Sequence, residues 1–391
     1  MTRKIAIIGA GPAGYTLAQE LVKTENEYQI DIFDKEAEIG GAIYTGIPEY
    51  RMPKTFLEKA YNGLIEAGVK FHFNTFVDQT MFKELQANYD YVVVAIGAQI
   101  ENTFGFETGN GVVAGLTLLY DLNINHKQED FKKYKKAIVW GGGNVAMDCA
   151  RSLVRIIDDV TIVYRRSLQE MPASPAEIKA CEKEGVKIAF LNNIKDILKD
   201  ENGNVCGVQV AKMELGEMDE SGRASCHEVK DSLFTMECDL VAMAIGQKVD
   251  FTPLNDDLKT TDTHASTLKN VYIIGDAFTG PKTIGSAVME GKKIAKEIEA
   301  KYRDKGLVVI NVATENGSKA REIWLQAIEE DGMTWTQILN NEGKNKCDVV
   351  KDYAITAFPT KVLIDGDGKI VVRAVGESEP IDAKLKEAFG E

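Results

Sequence analysis

Residues 4–22 read KIAIIGAGPAGYTLAQELV, and this stretch decides the fold of the first part of the chain. The apolar run 4–8 predicts a buried parallel strand, and the residues after the glycines predict a helix. Between the two, Gly9, Gly11 and Gly14 fit the pattern G-x-G-x-x-G. The first glycine permits a tight turn, the second lets the backbone approach a pyrophosphate, and the third lets helix and strand pack closely. The stretch therefore predicts a dinucleotide-binding turn, with the helix N-terminus facing the anion.

Acidic residues at two later strand ends indicate which dinucleotide this turn binds. A strand predicted at 29–33 ends in Asp34, whose carboxylate can accept hydrogen bonds from the ribose hydroxyls of an adenine nucleotide. Much further along, an apolar strand at 271–274 ends in Gly275 and Asp276. A carboxylate at that position can bind the ribityl chain of a flavin, so the first site is predicted to hold FAD.

A second glycine turn predicts a second dinucleotide. The apolar strand 137–140 leads into Gly141-Gly142-Gly143-Asn144-Val145-Ala146, which is the G-x-G-x-x-A variant of the same pattern. The next strand ends in Arg165 and Arg166 and carries no acid there. Guanidinium groups pair with a 2′-phosphate, which favours NADPH over NADH. The alternative is a solvated pair of charges at a strand end.

The two sites are nested in the chain. A strand that ends in Ala95-Ile96-Gly97 is echoed by one that ends in Ala244-Ile245-Gly246. The second glycine turn lies between them, and the strand before Gly275 follows both. We therefore expect the second nucleotide fold to be inserted into the first.

Several segments resemble pyridine-nucleotide flavoproteins of the glutamate synthase small-subunit type. They are Gly-Ile-Pro-Glu-Tyr-Arg-Met-Pro-Lys at 46–54, Tyr-Arg-Arg at 164–166, Glu-Met-Pro-Ala at 170–173, and the closing segment 275–287. The resemblance covers residues 1 to about 303. It implies an α/β fold in which a three-layer, Rossmann-like FAD-binding domain (1–108 and 248–304) carries an inserted NAD(P)-binding Rossmann-like domain (109–247).

The resemblance also implies the cofactor contacts. Those expected for FAD are Gly9, Gly11, Ala13, Gly14, Asp34, Gly41, Ile47, Pro48, Ala95, Ile96, Gly97, Gly275, Asp276, Thr283, Ile284 and Ala287. Those expected for NADPH are Gly142, Gly143, Asn144, Val145, Asp148, Arg165, Arg166 and Gly246. For Asp148 a cap or salt bridge within its own helix is an equal alternative. No catalytic proton donor is expected, because hydride transfer requires stacking and positioning.

The chain departs from this group at three points. Asp34 stands where the group usually has Glu, and Tyr44 stands where an Arg often contacts the cofactor. Relatives also carry a cysteine-rich iron–sulfur domain before the first glycine motif, whereas that motif begins here at residue 9. We therefore expect no iron–sulfur relay.

Residues 305–391 resemble the C-terminal part of thioredoxin-like proteins of the TlpA kind, and Pro359 matches the proline beside their active site. Cys-x-x-Cys is missing, since Cys347 stands alone. Either the whole catalytic unit is absent, or residues 316–319 stand in place of Cys-x-x-Cys. We expect a partial α/β domain without dithiol chemistry that docks a partner or pairs two copies of the chain. An artificial junction at 303–307 is the other interpretation.

Composition limits the classes of function. The 391 residues suit two or three domains, and a net charge of −14 argues against nucleic acid or an anionic membrane as partner. The six cysteines and four histidines form no metal-binding pattern and no Cys-x-x-Cys pair, which favours reduced thiols and a cytoplasmic location.

These observations lead to one main functional hypothesis. The chain is expected to be an FAD-dependent oxidoreductase that takes hydride from NADPH and passes electrons to an acceptor that the sequence does not identify. The alternative is a non-catalytic or partner-dependent electron-transfer flavin subunit docked through its C-terminal tail. A thiol reductase using Cys347 and a ferredoxin or flavodoxin reductase are less favoured, because a dithiol and a basic composition are missing.

Overall fold

A computed structural model describes residues 3–23, 28–218 and 224–299, the strand residues 310–313, 336–339, 360–364 and 370–375, and residue 384. The strands are β1 (Arg3–Ile8), β2 (Tyr28–Phe33), β3 (Lys70–His72), β4 (Tyr91–Val94), β5 (Ile100–Glu101), β6 (Val112–Ala114), β7 (Lys136–Trp140), β8 (Asp159–Tyr164), β9 (Lys187–Phe190), β10 (Asn192–Lys199), β11 (Val205–Met218), β12 (Ala224–Glu228), β13 (Phe234–Met236), β14 (Leu240–Met243), β15 (Gln247–Lys248), β16 (Val271–Ile273), β17 (Ile310–Ala313), β18 (Thr336–Leu339), β19 (Thr360–Ile364) and β20 (Ile370–Val375). The helices are α1 (Pro12–Leu21), α2 (Ala42–Thr45), α3 (Thr55–Glu66), α4 (Gln79–Asn88), α5 (Gly115–Asn123), α6 (Gln128–Phe131), α7 (Asn144–Leu153), α8 (Pro175–Lys183), α9 (Asp276–Thr279) and α10 (Ile284–Glu299), with a 3₁₀ turn at Leu168–Glu170.

The first sheet is parallel and has the order β16-β4-β1-β2-β3. Its central strands β1 and β4 are apolar along most of their length because both faces are covered, as parallel sheets require. One face packs against α1, α3 and α10, and the other packs against α4 and the segment around Leu254 and Leu258. β16 comes from residues far beyond the second glycine turn, so this layer is assembled from two separate parts of the chain.

The second sheet is also parallel, with the order β6-β14-β7-β8-β9. Helices α5, α7 and α8 cover one face. An antiparallel sheet formed by β10, β11, β12 and β13 supplies the cover on the other face, where Val208 and Val210 pack against Ile138 and Val163. The sequence had not predicted this antiparallel layer.

Two short strands connect the sheets. β5 lies where the chain passes from the first sheet to the second, and β15 lies where it returns. The two strands pair antiparallel. The side chain of Glu101 in β5 caps α5 by accepting hydrogen bonds from the backbone N–H of Leu116 (2.5 Å) and Thr117 (3.1 Å). The domain boundaries predicted at 108/109, 247/248 and 304/305 remain predictions.

The tail contributes two pairs of strands to the described residues. β17 and β18 pair in parallel, and β19 and β20 pair antiparallel. The sequence predicts this second pair, because two apolar runs around an Asp-Gly turn indicate a β-hairpin. The sequence had not predicted β18. The sequence also predicts helices near 320–329 and 348–353. These segments, together with Cys347 and Pro359, lie outside the described residues. Among the helices that the structure describes, none has the length and apolar character to cross a membrane.

Candidate functional site

The first glycine turn leaves no room for side chains. Gly9 has φ of +109°, and a Cβ added there would lie 2.4 Å from the carbonyl oxygen of Ala95. A Cβ on Gly14 would lie 2.0 Å from the carbonyl oxygen of Gly9. Such distances exclude any residue but glycine without a backbone shift, so α1 packs directly against the end of β1.

A second glycine pair lies over this turn. The backbone N–H of Gly40 donates to the carbonyl of Ala10 at 2.9 Å. Gly41 has φ of +51°, and its added Cβ would be 2.9 Å from the Cα of Gly11. The loop after β2 is therefore held against the N-terminus of α1, whose free backbone N–H groups are suited to binding an anion.

Asp34 points into the same turn from the end of β2. Its Oδ2 accepts a hydrogen bond from the backbone N–H of Ala10 at 2.6 Å, and its Oδ1 accepts one from Glu36 at 2.9 Å. Burial raises the pKa of this carboxyl above its ordinary value. Each oxygen keeps a second lone pair that a ribose hydroxyl could use.

The segment after β16 closes the turn from a third side. Gly275 has φ of +64°, and an added Cβ would lie 2.8 Å from the Cβ of Ala13 and 3.9 Å from that of Ala287. Thr283 Oγ1 accepts the backbone N–H of Ser286 at 3.1 Å and so caps α10. Burial raises the pKa of Asp276, whose Oδ1 accepts the N–H of Lys282 at 3.2 Å.

The structure thus brings most of the predicted FAD residues to one place, with the others on adjoining segments. Gly9 lies against Ala95 and Gly14, Gly11 lies against Gly41, and Gly275 lies against Ala13 and Ala287. Asp34 joins them through its hydrogen bond to Ala10, between Gly9 and Gly11. Ile47 and Ile284 pack against the core beneath this turn, Pro48 is buried beside Ile47, and Ile96 and Gly97 continue from Ala95. A cradle that side chains would fill, together with the buried carboxyl of Asp34 and the half-buried carboxyl of Asp276, fits a flavin dinucleotide.

The second glycine turn repeats the geometry of the first. Gly141 has φ of +144°, and an added Cβ would lie 2.1 Å from the carbonyl oxygen of Ala244. A Cβ on Gly142 would lie 2.4 Å from the ring of Tyr164, whereas one on Gly143 would meet none of the described atoms within 4 Å. Ala146, fully buried, replaces the third glycine. The tightness of this turn fits a pyrophosphate approached by backbone.

The segment 170–173 folds onto this second turn. The backbone N–H of Ala173 donates to the carbonyl of Gly142 at 3.2 Å. Asn144 Oδ1 accepts the N–H of Ser174 at 2.9 Å, which fixes the first residue of α7. Val145 is half-buried beside it, and Gly246 immediately precedes β15 and has φ of +100°.

The two arginines after β8 have different surroundings. Arg165 is exposed. Arg166 is buried, and its Nε donates to the carbonyl of Ala224 in β12 at 2.7 Å. The predicted pair is therefore split between solvent and the antiparallel layer.

Asp148 lies in the first turns of α7 and pairs with Arg51, which belongs to the segment 46–54 of the first fold. Its side chain is buried, which raises its pKa to about 6 despite the guanidinium beside it. Its Oδ1 has no hydrogen-bond partner among the described residues. The salt bridge that was one alternative thus exists, but it joins two folds and does not lie within a helix.

The sequence interpretation overlooked Gly291, in the middle of α10. An added Cβ there would lie 2.5 Å from the carbonyl oxygen of Ala13 and 3.0 Å from the backbone nitrogen of Leu17. The close packing of α10 on α1 depends on this glycine. A glycine inside a helical pattern was the available signal, because it lowers helix propensity without another benefit.

The sequence profile of the pyridine nucleotide-disulphide oxidoreductase family matches residues 3–291. The chain belongs to this family. The predicted fold class, oxidoreductase class and cofactors, FAD and NADPH, are confirmed by this membership.

Curated relatives place this pyridine nucleotide-disulphide oxidoreductase more closely. It is 36% identical to the NADP(+)-dependent formate dehydrogenase subunit beta of Moorella thermoacetica, over 84% of this chain and 48% of that protein. It is 35% identical to the NADPH-Fe(3+) oxidoreductase subunit beta of Geobacter sulfurreducens, over 69% of this chain and 41% of that protein. It is 32% identical over 76% of its length to the glutamate synthase [NADPH] small chain of Escherichia coli, of which it covers 68%. The resemblance to the glutamate synthase small subunit is confirmed, whereas the TlpA-like tail stays a prediction. The chain spans about half the length of the first two relatives.

Solved structures share the fold. The NADPH complex of FprA from Mycobacterium tuberculosis superposes with a TM-score of 0.64 at 19% identity, covering 85% of this chain and 91% of that one. Thioredoxin reductase of Lactococcus lactis gives a TM-score of 0.55 at 18% identity, covering 78% of this chain and 100% of that one. At these identities the likeness concerns the fold of the oxidoreductase alone.

Proposed function

We propose that the chain binds FAD at the first glycine turn and NADPH at the second, and that it moves a hydride from the nucleotide to the flavin. The observation that carries this proposal is the pair of matching turns. Gly9 lies against the carbonyl of Ala95, and Gly141 lies in the same way against the carbonyl of Ala244. Bound FAD would supply the hydride acceptor and pass electrons onward.

The predicted FAD residues have distinct tasks in this proposal. The backbone around Gly11 and Gly41 binds the pyrophosphate, Asp34 accepts from the adenosine ribose, and Asp276 accepts from the ribityl chain. Their support is the contacts described above, together with the desolvation that raises the pKa of both carboxyls. The N-terminus of α10, which Thr283 caps, adds a helix dipole that favours the FAD pyrophosphate.

On the NADPH side, we assign the 2′-phosphate to Arg165. Its guanidinium is exposed at the end of β8, whereas the Nε of Arg166 donates to Ala224 and anchors the loop. Gly142, Gly143, Asn144, Val145 and Gly246 surround the pyrophosphate and the nicotinamide half. Arg165 therefore confers the preference for NADPH, and Arg166 positions the strand end that carries it.

Anaerobic stopped-flow absorbance of the purified protein tests this function. NADPH is expected to bleach the flavin rapidly and NADH much more slowly. Because a hydrogen bond to a charged group contributes about 1.5–3 kcal/mol, Arg165→Gln should weaken NADPH binding by roughly 10- to 100-fold and leave NADH unchanged.

The matched control is Lys187→Gln. It removes one positive charge from an ion pair with Asp159 (2.8 Å) at the opposite end of the second sheet, and it should change neither nucleotide. Equal reduction by NADH and NADPH in the unaltered protein would contradict the assignment of the 2′-phosphate. A protein that binds no flavin would contradict the function as a whole.

A second candidate is a partner-dependent electron-transfer subunit. Two of the three curated relatives named above, those of Moorella thermoacetica and Geobacter sulfurreducens, are beta subunits, and this chain spans about half of each. In that case the acceptor for the electrons is bound by a partner protein, and the tail is the proposed docking element or the contact of a homodimer.

A cytoplasmic location is supported by the free thiols of the five described cysteines.

A further inference from the structure

The segment 46–54, which carries Ile47 and Pro48 of the proposed flavin site, leaves the first fold and lies across α7 of the second. The two ends of this segment are held together by Lys54, whose Nζ donates a hydrogen bond to the carbonyl of Ile47 at 2.6 Å. Tyr50 and Arg51 lie between these two residues and contact α7 and α8 directly. We call this segment the strap.

Arg51 joins the strap to two helices of the second fold. One of its terminal nitrogens pairs with Asp148 Oδ2 in α7, and its Nε lies 3.3 Å from Glu177 Oε1 in α8. All three side chains are largely buried, Asp148 most of all. A buried carboxylate without its guanidinium is strongly disfavoured, so the two folds are held where this pair can form.

Tyr50 reinforces the contact from the outer side. Its hydroxyl lies 3.2 Å from Ser152 Oγ in α7. The guanidinium of Arg155 covers its ring at 3.8 Å from the centroid, and that of Arg151 lies at 4.8 Å. Both arginines also form ion pairs with Glu184, Arg151 at 2.7 Å and Arg155 at 2.6 Å. The ring is thus held by a network of charges that belongs to the second fold.

The helix that the strap contacts is the one whose N-terminus forms the second glycine turn. Asp148 and Ser152 follow that turn by one and two helical turns. A helix moves as a rigid element, so a strap fixed to α7 also sets the distance between the proposed flavin loop and the proposed NADPH site. Hydride transfer is sensitive to this distance, since a misplacement of about 1 Å can lower a rate about 100-fold.

We propose that Tyr50 and Arg51 are positioning residues that hold the NADPH-binding fold in register with the flavin during hydride transfer. This inference rests on the proposed function, because it concerns the same two sites. Neither residue belongs to the proposed set of cofactor contacts. Both act through α7.

The test uses the full chain loaded with FAD and compares Arg51→Met with the unaltered protein. At saturating NADPH the limiting rate of flavin reduction should fall at least about tenfold, whereas the Kd for NADPH should change by less than about threefold. The long-wavelength charge-transfer absorbance that reports stacking of nicotinamide on flavin should weaken in parallel. Arg51→Lys should restore the rate in part, because one ammonium can pair with Asp148 but lacks the fork that reaches Glu177 as well.

The control is Lys195→Met, which removes the charge of an exposed ion pair with Glu228 (2.7 Å) in the antiparallel layer and should leave the rate and the absorbance band unchanged. If Arg51→Met lost FAD, Tyr50→Leu and Arg51→Lys would decide, since Tyr50 is 42% exposed and its replacement leaves the ion pair intact. A normal limiting rate in the variants would overturn this inference and leave the function standing. An unaltered protein that NADPH does not reduce would overturn the function itself.

Discussion

At the scale of single residues, two glycine turns and two carboxyls define the candidate sites. Gly9 and Gly141 occupy equivalent places, each with positive φ and each against the carbonyl of an alanine that follows a neighbouring strand. Asp34 has no counterpart after β8, where Arg165 stands. In the proposed function, this difference in one side chain distinguishes a site for a ribose diol from a site for a 2′-phosphate.

Asp148 makes a prediction about pH. Its pKa is about 6 in the folded protein, because burial penalises the charged form, and the ordinary value of 3.8 returns on unfolding. The folded protein therefore binds more protons than the unfolded chain between about pH 4 and about pH 6, and this group's contribution to stability is lost as the pH rises through that window. The melting temperature of the unaltered protein, measured relative to that of Asp148→Asn, should decrease as the pH is raised from about 4 to about 6. Above about pH 6 the difference between the two proteins should stay constant. A difference that is constant over this range would contradict the raised pKa.

At the scale of elements, the strands that border the glycine turns were predictable and the antiparallel layer was not. The predicted strands at 4–8 and 137–140 match β1 (Arg3–Ile8) and β7 (Lys136–Trp140) closely, because an uninterrupted apolar run before a glycine turn is a local signal. β11 (Val205–Met218) was missed. It is interrupted by Gly207 and becomes exposed along its second half, so its pattern shows no clear alternation.

The packing of α10 on α1 makes a prediction at this scale. Gly291→Val should push the two helices apart, because the added Cβ would lie 2.5 Å from the carbonyl oxygen of Ala13. Since Ala13 and Ala287 border the proposed flavin site, the flavin content of the purified protein should fall severalfold. The control is the exposed neighbour, Lys292→Ala, which should keep its flavin. Full flavin content in Gly291→Val would show that the helix contact does not support the site.

At the scale of the whole molecule, the described cores of both nucleotide folds end before the tail. Among the described residues, the four hydrophobic core clusters of these folds contain no residue that follows Ile298 in the sequence. A chain shortened to residues 1–304 should therefore keep its flavin and its rate of reduction by NADPH within about twofold, measured by absorbance and stopped flow. A chain shortened to residues 1–283 lacks α10 and should lose its flavin. Loss of flavin from the longer form would place the domain boundary inside the tail.

The sequence by itself determined the two glycine turns, the acid after β2 and the arginines after β8, because each of these features is a local requirement of chain geometry and charge. It could not determine that Arg166 turns inward to Ala224, since that depends on a layer that forms by long-range strand pairing. It also left open whether Asp148 contacts a nucleotide or a side chain. Only the tertiary structure placed Arg51 beside Asp148, because that contact joins residues 97 positions apart and arises from the way two separately folded layers dock.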